Sequence, residues 1–182
     1  MGLSPEQASE ALGQIADAQA RSATLYGYWR GAPHLVLWGV LWMIGFGLTD
    51  VFPTHATVVW SIVVPAGIAA GIIAERRQGA ASSARHWHYL GMALAFAAFF
   101  FAVFAVMRPR SIDQTGAFIS LVVALTYVLL GLWIGIRYVV AGVVLALLTL
   151  AGFFLLRGHF SLWMAAVGGG ALVVGGLWLR KP

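Results

Sequence analysis

The sequence predicts an all-α polytopic membrane protein, with six transmembrane helices preceded by an amphipathic or interfacial N-terminal helix. Three observations predict it. Of the 182 residues, 61% are hydrophobic and 9% are charged, whereas about a quarter of an ordinary globular chain is charged, so this chain cannot cover a body in water. Mean hydropathy is +0.88. Six stretches, 31–49, 56–74, 89–107, 114–136, 138–156 and 160–179, lack Asp, Glu, Lys and Arg and are each 19 to 23 residues long. A helix crosses the hydrocarbon core with about 20 such residues. Because the runs are continuous rather than alternating, and every backbone amide in lipid needs an internal partner, they read as helices and not barrel strands.

The first 31 residues form the one sizeable extramembrane element. They hold no apolar signal-peptide core and carry Glu6, Glu10 and Asp17 early, so a retained helix is expected rather than a cleaved leader. Ser4, Pro5 and Gln7 have the spacing of a capping box with proline in the first turn. Ala11, Ile15, Ala18, Ser22, Leu25 and Trp29 recur at alternating steps of four and three, a mildly apolar stripe. Gly31 then offers a stop and Pro33 a restart. The expected division is an N-terminal cytoplasmic or interfacial helix over 1–31 and a bundle over 32–182, its spans at about 33–50, 56–74, 89–107, 114–136, 138–156 and 160–179. The stripe suits either the headgroup region or docking against another membrane or cytoplasmic protein, or a second copy of the chain.

The connections are short. Pro53 marks a tight turn after the first span, 75–88 is the longest loop, and Ser111 and Gln114 repeat the capping-box spacing before the fourth span. If every run crosses once, Arg21, Arg30, Arg76, Arg77, Arg85, Arg137, Arg180 and Lys181 collect on one side, and Arg108, Arg110 and Arg157 on the other. Positive residues accumulate in the cytoplasm, so both termini are expected there. Arginine outnumbers lysine ten to one, pointing to a GC-rich bacterial source and an inner (cytoplasmic) membrane. The net charge of +5 then describes topology and attraction to anionic lipid, not nucleic-acid binding.

Inside the spans, Gly67 and Gly71, and Gly131 and Gly135, have GxxxG spacing, and Gly168, Gly169 and Gly170 are consecutive. Close helix packing is the expected use, with the triple glycine marking a groove or a bend. Pro65 deprives the Ser61 carbonyl of its helical partner in mid-span; an exposed carbonyl beside a hydroxyl is what a small-solute pathway uses. Trp38 and Trp42 share a face of the first span, either lining an apolar cleft or packing the bundle. Asp50, at the end of that span, is the nearest ionisable group to the membrane interior and is expected to pair with Arg108, Arg110 or Arg157. His34 and His88 fall at similar depth on different helices, the only arrangement here suited to a metal or haem iron; solvated interface histidines are the ordinary alternative. Cysteine is absent, which excludes disulfides and thiolate sites.

No catalytic constellation emerges. A rhomboid-type protease needs a GxSx nucleophile, a phosphatidic-acid phosphatase a PSGH motif, an alcohol phosphatidyltransferase several aspartates, and a retinal protein an intramembrane lysine. Here Ser120 sits in FIS, PSGH is missing, aspartates number three, and the sole lysine is Lys181. The spans also lack the charged groups on which proton-coupled carriers rely. The halves 33–107 and 114–179 each contain three runs but share no residue pattern. The expectation is therefore a non-enzymatic multi-pass protein without a cofactor, acting as a subunit, regulator or sensor of a membrane assembly. The alternatives are a small-solute channel centred on Ser61 and Pro65, and a haem or metal protein using interface histidines.

Overall fold

The computed structural model describes residues 4–77, 83–156 and 158–181. Its elements are α1 (Pro5–Val51), a 3-10 turn (Pro53–His55), α2 (Ala56–Arg77), α3 (Ser83–Met107), α4 (Ile112–Ile134), α5 (Ile136–Leu155) and α6 (Phe160–Leu179). The protein is all-α and polytopic: five of the six helices are long and apolar enough to cross a membrane, and the described apolar part of α3, Leu94–Met107, is a shorter sixth.

The expected break at Gly31 and Pro33 does not occur. α1 is one helix of 47 residues that passes through both. At 1.5 Å per residue it is about 70 Å long, more than twice the hydrocarbon core. The reason is tertiary. A Cβ at Gly31 would overlap the Tyr138 hydroxyl of α5, and one at Gly27 would meet the Ile134 side chain at 2.7 Å. Ala32 and Leu35 are fully buried. Gly31 is therefore a packing slot rather than a stop, and contact with α4, α5 and α6 holds the helix where local propensity would end it. The Ser4 capping box is present as expected, with Ser4 Oγ accepting from the Gln7 amide and Gln7 Oε1 from the Ser4 amide.

α6 runs antiparallel to α1 with backbones almost touching. A Cβ on Gly39 would lie 2.8 Å from the Gly169 carbonyl, and one on Gly176 2.9 Å from the Ala32 carbonyl. Such small-residue contacts let membrane helices gain dispersion energy where no hydrophobic drive exists between them. The triple glycine is both groove and irregularity: residues Met164–Gly169 form a wide π turn within α6, and Gly169 supplies the close approach.

α4 and α5 form a hairpin joined by Gly135 alone, at φ +146°. Gly131 faces the Val139 backbone, Gly135 the Tyr28 hydroxyl and Gly142 the Ala124 carbonyl, so the glycines at 131 and 135 serve packing inside the chain. α2 lies along α1 through Gly67, set against Trp38 and Leu41, and Trp60, set against Gly45. α3 meets α4 through Phe100 and Phe104, whose ring centroids are 6.3 and 6.0 Å from that of Phe118.

These pairings give the bundle two ends. At one, Tyr28 packs against Tyr138 and leaves no room for a side chain at Gly135, and Arg137 stands over the rings of Tyr28 and Trp178 at 5.2 and 5.6 Å. The Arg137 guanidinium also donates to the carbonyls of Trp178 and Lys181, which satisfies acceptors left over where α6 ends. At the other end, the last turn of α1 meets the first turns of α4 and α6.

Candidate functional site

At that second end a cleft of about 290 Å³ is bordered by Thr49, Asp50, Pro53, Ser111, Ile112, Asp113, Gly158 and Ser161. Each arrives by a local rule. Thr49 and Asp50 close α1, whose Thr49 hydroxyl donates back to the Gly45 carbonyl at 2.8 Å. Ser111 is the N-cap of α4, accepting from the Gln114 amide at 3.1 Å. The second half of the expected box is altered, because Gln114 Oε1 accepts from the Arg110 amide instead. Asp113 occupies the first turn of α4, where a carboxylate is favoured by the helix dipole. Ser161 enters with the first turn of α6 and is 6% exposed.

Both carboxylates border the cleft, and burial first, then the like charge of Asp50, pushes the Asp113 carboxyl above its ordinary range. Asp50 therefore has a like charge for its neighbour. Among the described residues neither Arg108 nor Arg110 pairs with it, and both are exposed; Arg157 lies outside the described residues. The wall behind the acids is aromatic. Trp60 Nε1 donates to Thr49 Oγ1 at 3.1 Å, and rings continue inward from Trp60 to Phe46 at 4.9 Å, then to Trp42 at 5.5 Å and Phe160 at 6.2 Å.

The other residues singled out by sequence are scattered. Trp42 is buried against Phe46, and Trp38 is half-buried against Gly67 with the His34 ring edge-on at 6.1 Å; both pack the bundle where described. Ser61 and Pro65 are on the exposed side of α2, and the Ser61 hydroxyl donates to the Val58 carbonyl at 2.9 Å. His34 is exposed and contacts α2 near Gly71. His88 belongs to α3, and its side chain lies outside the described residues. No group of three or more His, Cys, Asp or Glu suited to a metal occurs among the described residues.

Asp113, Ser111 and Ser161 are the site residues that sequence reasoning missed. The signal was available: strict alternation of spans puts the end of the first and the starts of the fourth and sixth on one side. The second distinctive feature is the exposed half of α1. Residues 9–23 are exposed throughout, including Leu12 and Ile15 at 67% and 54%, whereas Tyr28 onward is built into the core.

Comparison with protein-family models, curated proteins and solved structures finds no match to this chain.

Proposed function

We propose that this multi-pass membrane protein is a non-catalytic subunit or regulator of a bacterial inner-membrane assembly, with α1 as the arm that meets a protein partner. The observation that carries this reading is the unbroken helix from Pro5 to Val51. An interfacial helix would turn onto the bilayer at its junction with the first span. This one continues unbroken from the core, so force or displacement at Leu12 or Ile15 is delivered to Gly31, Ala32 and Leu35, which are wedged against α5 and α6. Of its length, about 40 Å lies beyond what the hydrocarbon core requires.

The positive-inside bias supports an arm on the cytoplasmic side with the C-terminus beside it. That arrangement requires α3 to cross as a sixth span. The path of the chain supports this too, since α2 leaves toward the Tyr28 end and α4 begins at the Asp50 end. A non-catalytic role is supported by the threonines of the spans, Thr49, Thr126 and Thr149, which donate to carbonyls of their own helices and are satisfied locally.

The test is purification in mild detergent of the full chain and of a variant lacking residues 4–22, a deletion that spares Tyr28 and the core. A partner protein retained by the full chain and lost from the variant, with the melting temperature of the bundle unchanged, is the expected result. Saturable flux of a small solute through liposomes containing the pure protein would overturn the reading.

A further inference from the structure

We infer that the cleft between the end of α1 and the starts of α4 and α6 binds a hard divalent cation of the calcium class. The donor chemistry selects it. Asp50 and Asp113 supply two carboxylates, Ser111 and Ser161 supply hydroxyls, and Gly158 supplies backbone, with no histidine or sulfur among the lining residues. An oxygen-only set suits calcium or magnesium and not the transition metals.

Two acids alone would be an ordinary solvated rim. Ser161 makes the difference. It is 94% buried, by its 6% exposure, and the little surface it keeps opens on the cleft. It has no hydrogen-bond partner among the described residues. Its oxygen is not closed off as that of Ser120 is; it opens on the cleft, where a cation or its bound water would give it a partner. The same ligand removes the repulsion between Asp50 and Asp113, which Arg108 and Arg110 leave uncompensated among the described residues.

Size and the scattered origin of the donors favour calcium over magnesium. The cleft of about 290 Å³ has room for an ion with several waters, at roughly 30 Å³ each. Its donors come from separate segments: the C-terminal turn of α1, the N-cap region of α4, and the entry to α6. Magnesium demands a near-ideal octahedron, whereas calcium accepts irregular shells. With two carboxylates, affinity belongs in the range of extracellular modules, on the order of 10⁻⁴–10⁻³ M. A bound cation would tie three helices together at the end of the bundle opposite Tyr28.

Trp60 provides the readout, because its indole N–H is bonded to Thr49 on the wall of the cleft. The full-length protein in a neutral detergent is titrated with terbium(III), exciting tryptophan and reading sensitised terbium emission, then back-titrated with calcium chloride. Saturable emission that calcium displaces is expected. Asp50→Asn and Asp113→Asn should each weaken it about tenfold or more, since affinity follows ligand charge, and Asp17→Asn on the arm should leave it unchanged. Emission that survives both cleft variants, or that calcium fails to displace, overturns the proposal. A second measurement needs no variant. Calcium at ten times its dissociation constant should raise the melting temperature of the native protein by about 3 °C or more, while sodium chloride at equal ionic strength should not; an equal rise with sodium, or none with calcium, refutes the site.

Discussion

The α-carbon of Gly31 lies directly against the hydroxyl of Tyr138, 107 residues further along the chain, with no space between them for a methyl group. In an unpacked helix, Gly→Ala stabilises by about 1 kcal/mol. Here overpacking reverses the sign, and Gly31→Ala should destabilise by about 1–3 kcal/mol. Tyr138→Phe removes the obstructing oxygen, so the double variant should recover part of that loss. Thermal melting of the four proteins of this cycle in detergent measures the coupling; a Gly31→Ala protein as stable as the native one would show that the two helices are not in contact.

Gly135 should be less tolerant still. It links α4 to α5 at φ +146°, a conformation that residues with a Cβ rarely adopt, and a Cβ there would also overlap the Tyr28 hydroxyl. Tyr28 in turn accepts from the Arg137 amide at 3.3 Å. Gly135→Ala should therefore lose more stability than Gly31→Ala and should loosen the cation–π stack of Arg137 on Tyr28 and Trp178. Protease accessibility of the hairpin junction reports the second effect.

Thr49→Val keeps the shape of the side chain and removes the oxygen that accepts from Trp60. The indole N–H is then left without its partner in a half-buried site, at a cost of about 1–2 kcal/mol. Melting temperature should fall, and tryptophan emission should change with it. An unchanged melting temperature would mean that water replaces the threonine freely.

How far the fold was legible from sequence depends on which interaction sets each feature. The spans are announced by uncharged length, and the caps at Ser4 and Ser111 by local spacing, so both could be read directly. Gly31 and Pro33 read as punctuation because the residue that decides their role, Tyr138, belongs to another helix. Spans that are apolar nearly all round hold little record of which face meets protein; Ser61 and Pro65 drew attention for their chemistry, yet they lie on the exposed side of α2. Asp50 was visible as a lone acid at a span end. Its relation to Asp113 and Ser161 needed the order in which the helices pack.

Ser120 offers a test of the opposite sign. Its side chain is fully buried in α4 and its Oγ has no hydrogen-bond partner. The hydroxyls of Thr126 and Thr149, by contrast, return to carbonyls of their own helices. Removing a hydroxyl that is buried and unsatisfied removes a desolvation cost of about 1–3 kcal/mol, offset by a small void. Ser120→Ala should thus be neutral or stabilising by up to about 1 kcal/mol. A clear loss of stability would reveal a partner that this structure does not show, such as a bound ligand.

Sidedness can be tested cleanly, because the chain contains no cysteine. Ser111 caps α4 beside the Asp50 cleft, whereas residue 83 begins α3 at the opposite end of that helix. The arginine-rich connections and Lys181 lie at the end shared with residue 83, and positive residues are retained in the cytoplasm because translocating them is opposed. A membrane-impermeant maleimide applied to intact spheroplasts should therefore label Ser111→Cys and spare Ser83→Cys, with both reacting once the membrane is opened. Labelling of both before lysis would show that α3 does not cross. Labelling of Ser83→Cys alone would invert the orientation, and the arm of α1 would then face away from the cytoplasm, removing its proposed partner from reach.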